Sequence, residues 1–223
     1  MVKVITFIKR KAGMPVEEFQ GYWRARHPEV VTRLPGVRRY VQSHTLLSTY
    51  ERGEPTYDGI AEVWADDTDA LRAMTRSPGN ADVQADEARF IDRPTMGVII
   101  TEDHVLKDCP VAADAVKSVT FLNRKPGLSV EDFQRHWLEI HGPLAVMLVG
   151  LVRYVQSHTR RSAYGAGRVP AYDGAVLMWF ESIDAARRVA GTLEYARVLA
   201  DAGSFLSPAP APTILTREHV IVA

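Results

Sequence analysis

Two helical stretches each end on a histidine set against an apolar face. In Phe19-x-x-x-Trp23-x-x-x-His27 and Phe133-x-x-x-Trp137-x-x-x-His141 the three residues recur at i, i+4 and i+8, so one stripe carries two aromatic rings and then an imidazole. An inward histidine of this kind can donate, accept or shuttle a proton near neutral pH without any cofactor. Its bland alternative is a core histidine bonded to a backbone carbonyl. A second polar set stands on an extended stretch, where the two-residue period puts Tyr40, Gln42 and His44 on one face and Arg39, Val41, Ser43 and Thr45 on the other. The same run returns with Tyr154, Gln156 and His158. Buried polar groups need partners, so such a face either lines a solvated cavity or closes an internal hydrogen-bond network. Facing the helix, it would bring Tyr40, His44 and His27 around one small molecule, and Tyr154, His158 and His141 around another. Facing away, it would join the two repeats. Asp58 and Asp173, in Tyr-Asp-Gly triplets, could orient a histidine, act as a base or simply shape a turn at a strand start. Trp64 and Trp179 are expected to pack the core or to serve as stacking platforms, and His104 and His219, near strand ends beside acids, to lie at the surface.

The elements that position these groups come in two copies. Lys3 to Thr45 aligns without a gap on Lys117 to Thr159 with 21 of 43 positions identical, which marks a duplicated domain and not a short-period solenoid. Each copy reads as a strand (3–10, 117–122), a turn containing Gly13 or Gly127, and a helix to about residue 27 or 141 with acids in its first turn. A strand at 39–45 follows Gly36, a third spans 57–64, caps at 66–69 and 181–184 open a second helix, and fourth strands run 97–106 and 213–222. The order β-α-β-β-α-β is the ferredoxin-like split βαβ plan. The reading is therefore α+β, with repeat one at 1–106, a linker at 107–116 and repeat two at 117–223, packed as an intramolecular pseudo-dimer; a further homodimer stays open.

Composition removes whole classes of function. Lys plus Arg and Asp plus Glu are 27 each and are spread along the chain, so the basic footprint of a nucleic-acid binder is missing. No apolar run approaches the ~20 residues of a membrane span and the first stops at Ile8, short of a signal-peptide core, so a cytoplasmic protein is expected. The lone cysteine, Cys109, supports neither a disulfide framework nor a thiolate metal site. Two or three histidines with one aspartate scattered over separate elements make only a weak case for a metal site, and no phosphate loop, nucleophile elbow or dinucleotide fingerprint is present, so neither metal nor cofactor is expected.

A first strand, Lys-x-Gly, Phe-x-x-x-Trp-x-x-x-His and a Tyr-x-Gln-x-His strand together resemble the EthD-like family of the dimeric α+β barrel superfamily. Repeat two keeps His141-Gly142-Pro143-Leu144, whereas repeat one has His27-Pro28-Glu29-Val30, with proline one place early. The resemblance implies two ferredoxin-like repeats packed as an intramolecular dimeric α+β barrel. It also implies a cofactor-independent enzyme, of lyase or isomerase type, acting on a small apolar aromatic or polyketide-derived molecule in secondary metabolism or aromatic degradation. The step would be decarboxylation, dehydration, cyclisation or isomerisation. His27 or His141 would be the acid or base, with Tyr40, Tyr154, His44, His158, Asp58 and Asp173 completing the catalytic set. Phe19, Trp23, Gln42 and Trp64, with Phe133, Trp137, Gln156 and Trp179, would hold the substrate. A cofactor-free monooxygenase is the nearest enzymatic alternative, and a binding or accessory protein supporting a partner oxygenase is the other class. Other branches of the superfamily bind haem between sheet and helices, although nothing in this sequence asks for iron.

Overall fold

The computed structural model describes residues 1–223, the side chain of Ala166 apart. β1 (Val2–Ile8) is followed by α1 (Val16–Ala25), the short α2 (Pro28–Val31), β2 (Arg39–Thr45), a single turn α3 (Leu47–Tyr50) and β3 (Gly59–Ala65). Then come α4 (Thr68–Arg76), α5 (Gly79–Phe90) and β4 (Gly97–Asp108). Repeat two gives β5 (Val116–Leu122), α6 (Val130–His136) running on as a π-helical turn over Trp137–His141, α7 (Gly142–Ala145), β6 (Leu151–Thr159), β7 (Gly174–Phe180), α8 (Ile183–Val189), α9 (Leu193–Phe205) and β8 (Thr213–Val222). The mixed α+β class with two ferredoxin-like repeats is thus as the sequence reads. The second helix of each repeat is a pair. Asp67 and Ser182 cap α4 and α8 as their spacing suggests, but Pro78 interrupts the first pair, and Thr192 starts a newly capped helix in the second.

The chain divides into two compact units, Met1–Ile100 with Glu218–Ala223, and Thr101–Arg217. In the first, β3 pairs antiparallel with β1 and β2, and the end of β8 lies beside β2. In the second, β7 pairs antiparallel with β5 and β6, β8 adds to β5, and β4 adds to β6 with Thr101 opposite Thr159 and His104 opposite Gln156. Each unit therefore completes its sheet with part of a fourth strand belonging to the other sequence repeat. That exchange decides which histidines meet.

One face of each sheet carries the helices. Phe19, Trp23 and Phe90 are buried on it in the first unit, and Phe133, Trp137 and Phe205 in the second. Rings of this size each remove roughly 150–250 Å² from water, so they dominate these small cores. Two glycine pairs make the arrangement possible. Gly13 and Gly127 turn the chain out of β1 and β5 at φ +81° and +86°, a region that side chains with a Cβ rarely adopt. Gly59 and Gly174 open β3 and β7 directly beneath the tryptophans, where a Cβ would stand 2.5 Å from a Trp23 ring carbon or 2.6 Å from a Trp137 one.

Candidate functional site

The Tyr-x-Gln-x-His face looks toward the helix. Trp23 stacks on His44 with centroids 4.3 Å apart and planes 8° from parallel, and Trp137 stacks on His158 at 4.3 Å and 5°. Gln42 Nε2 donates to the Trp23 carbonyl at 2.8 Å and to the Tyr40 hydroxyl at 2.8 Å, while its Oε1 lies 3.0 Å from His44 Nε2. Gln156 repeats this, with 2.8 Å to the Trp137 carbonyl, 3.0 Å to Tyr154 and 2.9 Å from Oε1 to His158. The Trp137 indole N–H is buried without a hydrogen-bond partner. Both options left open by the sequence are met: all six strand residues are buried in an internal network, and in the second unit His158 also lines a cavity.

Burial sets the charge states. It pushes the Tyr154 phenol up to about 12 and raises Tyr40 as well, so both remain protonated. It drives His158 down to about 3, with neighbouring His104 adding to the effect, and His44 down to about 3, with His219 and Arg24 adding to it. Both imidazoles are neutral at physiological pH. His104 lies against His158 at 4.4 Å between centroids and His219 edge-on to His44 at 4.7 Å, so the two histidines expected at the surface are half-buried, each with one side against the buried pair. The β-strand exchange puts them there.

The helix-terminal histidines have carboxylate partners that the motif reading did not find. His27 Nδ1 is 2.8 Å from Asp86 Oδ2 on α5, and His141 Nδ1 is 2.8 Å from Asp201 Oδ2 on α9. Each imidazole rests on the phenyl ring one turn further along the same helix, Phe90 at 5.1 Å or Phe205 at 5.0 Å. Burial lowers both histidines below their ordinary value while the aspartates pull the other way, the net direction being down. In the neutral ring the carboxylate can only accept, so Nδ1 carries the proton and Nε2 keeps its lone pair. A signal existed: Ala85-Asp86-x-x-x-Phe90 recurs as Ala200-Asp201-x-x-x-Phe205, inside helices that otherwise diverge.

Asp58 and Asp173 are engaged elsewhere. Asp58 accepts from the Arg10 backbone at 2.7 Å and the Tyr50 hydroxyl at 2.6 Å and pairs with the Arg10 guanidinium; Asp173 does the same with Arg124 and Tyr164. They tie the exit of the first strand to the start of the third and bond none of the histidines. Trp64 sits between Lys3 and Arg39, 5.1 and 5.0 Å from its ring, and Trp179 between Lys117 and Arg153 at 4.7 and 5.1 Å, away from the Tyr-Gln-His face. Phe19 and Phe133 pack on the tryptophans and on Phe90 or Phe205 as core residues.

In the second unit a cavity of about 580 Å³ opens beside this network. His158 and His104 form part of its wall, the outer side of α6 and the π turn supplies Gln134, Arg135 and Leu138, and Arg160 stands after β6. Its volume is in the range of small-molecule sites. Among the described residues no group of three or more His, Cys, Asp or Glu side chains is placed to hold a metal ion, and no helix is long and apolar enough to cross a membrane.

No curated protein matches the chain. Among solved structures, it is similar to an anthrone oxidase-like protein at TM-score 0.71 and 10% identity over 98% of this chain and 92% of that one. It is similar to a Fusobacterium nucleatum protein named "putative monooxygenase" at 0.63 and 12% over 98% and 92%, and to a mutant chlorite dismutase from Candidatus Nitrospira defluvii at 0.59 and 10% over 98% and 91%. At such identities the likeness shows the fold, the dimeric α+β barrel of ferredoxin-like repeats. The EthD domain matches twice, over residues 11–94 and 125–209, and with both copies together covering most of its length the chain belongs to the EthD family.

Proposed function

We propose that this protein is an acid–base enzyme that works without a cofactor on a small aromatic or polyketide-derived molecule, by decarboxylation, dehydration, cyclisation or isomerisation. The observation that carries the reading is the carboxylate-backed histidine of each unit, His27 on Asp86 and His141 on Asp201, with the same atoms at the same 2.8 Å. Nε2 would take a proton from an acidic O–H or C–H of the substrate, and the aspartate would stabilise the imidazolium that forms. His44 and His158 would hold a substrate hydroxyl. Tyr40 and Tyr154, fully buried behind them, act as positioning residues through Gln42 and Gln156. Asp58 and Asp173 would keep the scaffold in register.

Native mass spectrometry of protein purified from its own host would give the substrate class, and turnover of that compound then tests the base. His27→Phe with His141→Phe is expected to lower turnover about 10²- to 10⁴-fold while leaving ligand binding intact. Unchanged turnover sinks the reading, and tight binding with no turnover in the wild type favours the accessory class.

A second reading, oxygen insertion by a cofactor-free monooxygenase, is favoured by the full-length likeness to an anthrone oxidase-like protein. It would use the same base, the substrate anion then reacting with dioxygen. Oxygen uptake matched to substrate consumption selects it.

A further inference from the structure

The hydrogen bonds of Gln156 fix the chemistry of His158. The Trp137 backbone carbonyl can only accept, so the amide nitrogen of Gln156 must be the end that faces it at 2.8 Å; its second hydrogen goes to Tyr154. The orientation of the amide is thereby forced, and Oε1 faces His158 Nε2 at 2.9 Å. An amide oxygen cannot donate, so Nε2 carries the hydrogen and, in the neutral ring, Nδ1 is left as a bare lone pair. Trp137 covers one face of the ring, stacked within 5° of parallel, and His104 approaches with its ring tilted by 58°. Among the described residues Nδ1 bonds no protein group, and it is not among the buried polar atoms left without a partner, so it keeps a small exposed surface. His158 lines the cavity.

Arg135, Arg160 and Arg161 line the cavity together with Glu102, Glu131 and Glu139, so its formal charges balance. Arg160 pairs with Glu102 at 3.3 Å, Arg161 with Glu131 at 3.1 Å, and Arg135 with Asp132. No net cationic or anionic grip is left at the mouth, so the ligand that suits it is uncharged.

We infer that the cavity of the second unit takes an uncharged ligand that donates a hydroxyl hydrogen, a phenol or an enol, to His158 Nδ1, and that Gln156 is the positioning residue that keeps this nitrogen bare. The inference rests on the cavity being the substrate seat, and it names the class of molecule seated there. Gln42 holds His44 in the same way, through 2.8 Å to the Trp23 carbonyl and 3.0 Å to Nε2, so the lock is built into both repeats.

Two equilibrium measurements on the full chain test it without any turnover. In long-range ¹⁵N–¹H spectra of the wild type, His158 is expected to show a protonated Nε2 and an unprotonated, pyridine-type Nδ1; the reverse tautomer overturns the inference. Calorimetric titration with 2-naphthol and with 2-methoxynaphthalene, alike in ring system but differing in the donor, is expected to favour the naphthol by up to about tenfold, the worth of one hydrogen bond. In Gln156→Leu that preference is expected to fall below about twofold. Equal binding of the two compounds by the wild type, or binding of neither, overturns it. Loss of the proposed base in His141→Phe leaves these readouts in place, so failure of the catalytic reading and failure of this inference are separate results.

Discussion

The two units build one dyad with different third members. Asp86 receives the Tyr22 hydroxyl on its second oxygen at 2.5 Å, whereas Asp201 has His136 there at 3.0 Å. Tyr22, raised by burial and by Asp86, is a neutral donor across the working pH range. His136 is a second imidazole on the same carboxylate, and its charge opposes protonation of His141. The backbone also differs. Pro28, one place early, ends the first helix at Ala25, while repeat two continues through a π turn in which Gly142 N–H reaches back to the Trp137 carbonyl. Such π turns are frequent at functional sites. The lesson is that the pairing of histidine with aspartate tolerates different helix ends and different partners, as a functional pairing would, so the differences are where the two sites can be told apart.

The largest effect is expected from removing one base at a time. His141→Phe alone is expected to remove most of the turnover, about tenfold or more, because the cavity beside His158 belongs to its unit; equal losses from His27→Phe and His141→Phe would show two equivalent sites. Gly174→Ala comes next, since the new Cβ would lie 2.6 Å from Trp137 and 2.7 Å from the Ser157 carbonyl. A cost of about 1–3 kcal/mol is expected from such overpacking, read from denaturant unfolding. Gly59→Ala should cost the same, and a neutral result in either would mean that the tryptophan is free to move.

Acid sharpens the picture further. His44 and His158 titrate at about 3 in the folded protein against 6.5 for an ordinary histidine. Between those values the unfolded chain binds more protons, so their contribution to stability is complete above about pH 6.5 and is lost as pH falls toward 3. The melting temperature should therefore drop from pH 7 to pH 4, and His44→Phe with His158→Phe should flatten that slope; an unchanged slope removes the histidines as its cause. The smallest effect belongs to a feature of the first unit, the Glu54 carboxylate, which Arg10 and Lys9 hold down at about 2. It is largely exposed, so Glu54→Gln should change stability by at most about 1 kcal/mol, with no effect on the second unit's site.

Much of this was legible in the chain itself. Periodicity placed Phe19, Trp23 and His27 on one buried face and Tyr40, Gln42 and His44 on another, because side-chain direction in helices and strands follows from backbone geometry alone. The duplication declared two domains of one plan. Asp86 and Asp201 were harder to see: their helices share little else, and a lone aspartate on a helix looks like a solvated charge until the element opposite is known.

Local propensity and patterns of a few residues were enough for the strands, the first helices, the inward faces and the family, while the second helix of each repeat proved to be a pair. Which partners those faces meet depends on the packed fold. That the polar strand faces the helix, that Gln156 must present its oxygen to His158, and that a strand of repeat one brings His104 to the site of repeat two all follow from contacts between residues 19 to 54 positions apart. Such contacts are set by packing and by the need of every buried polar group for a partner, and neither constraint is written in any local stretch of sequence.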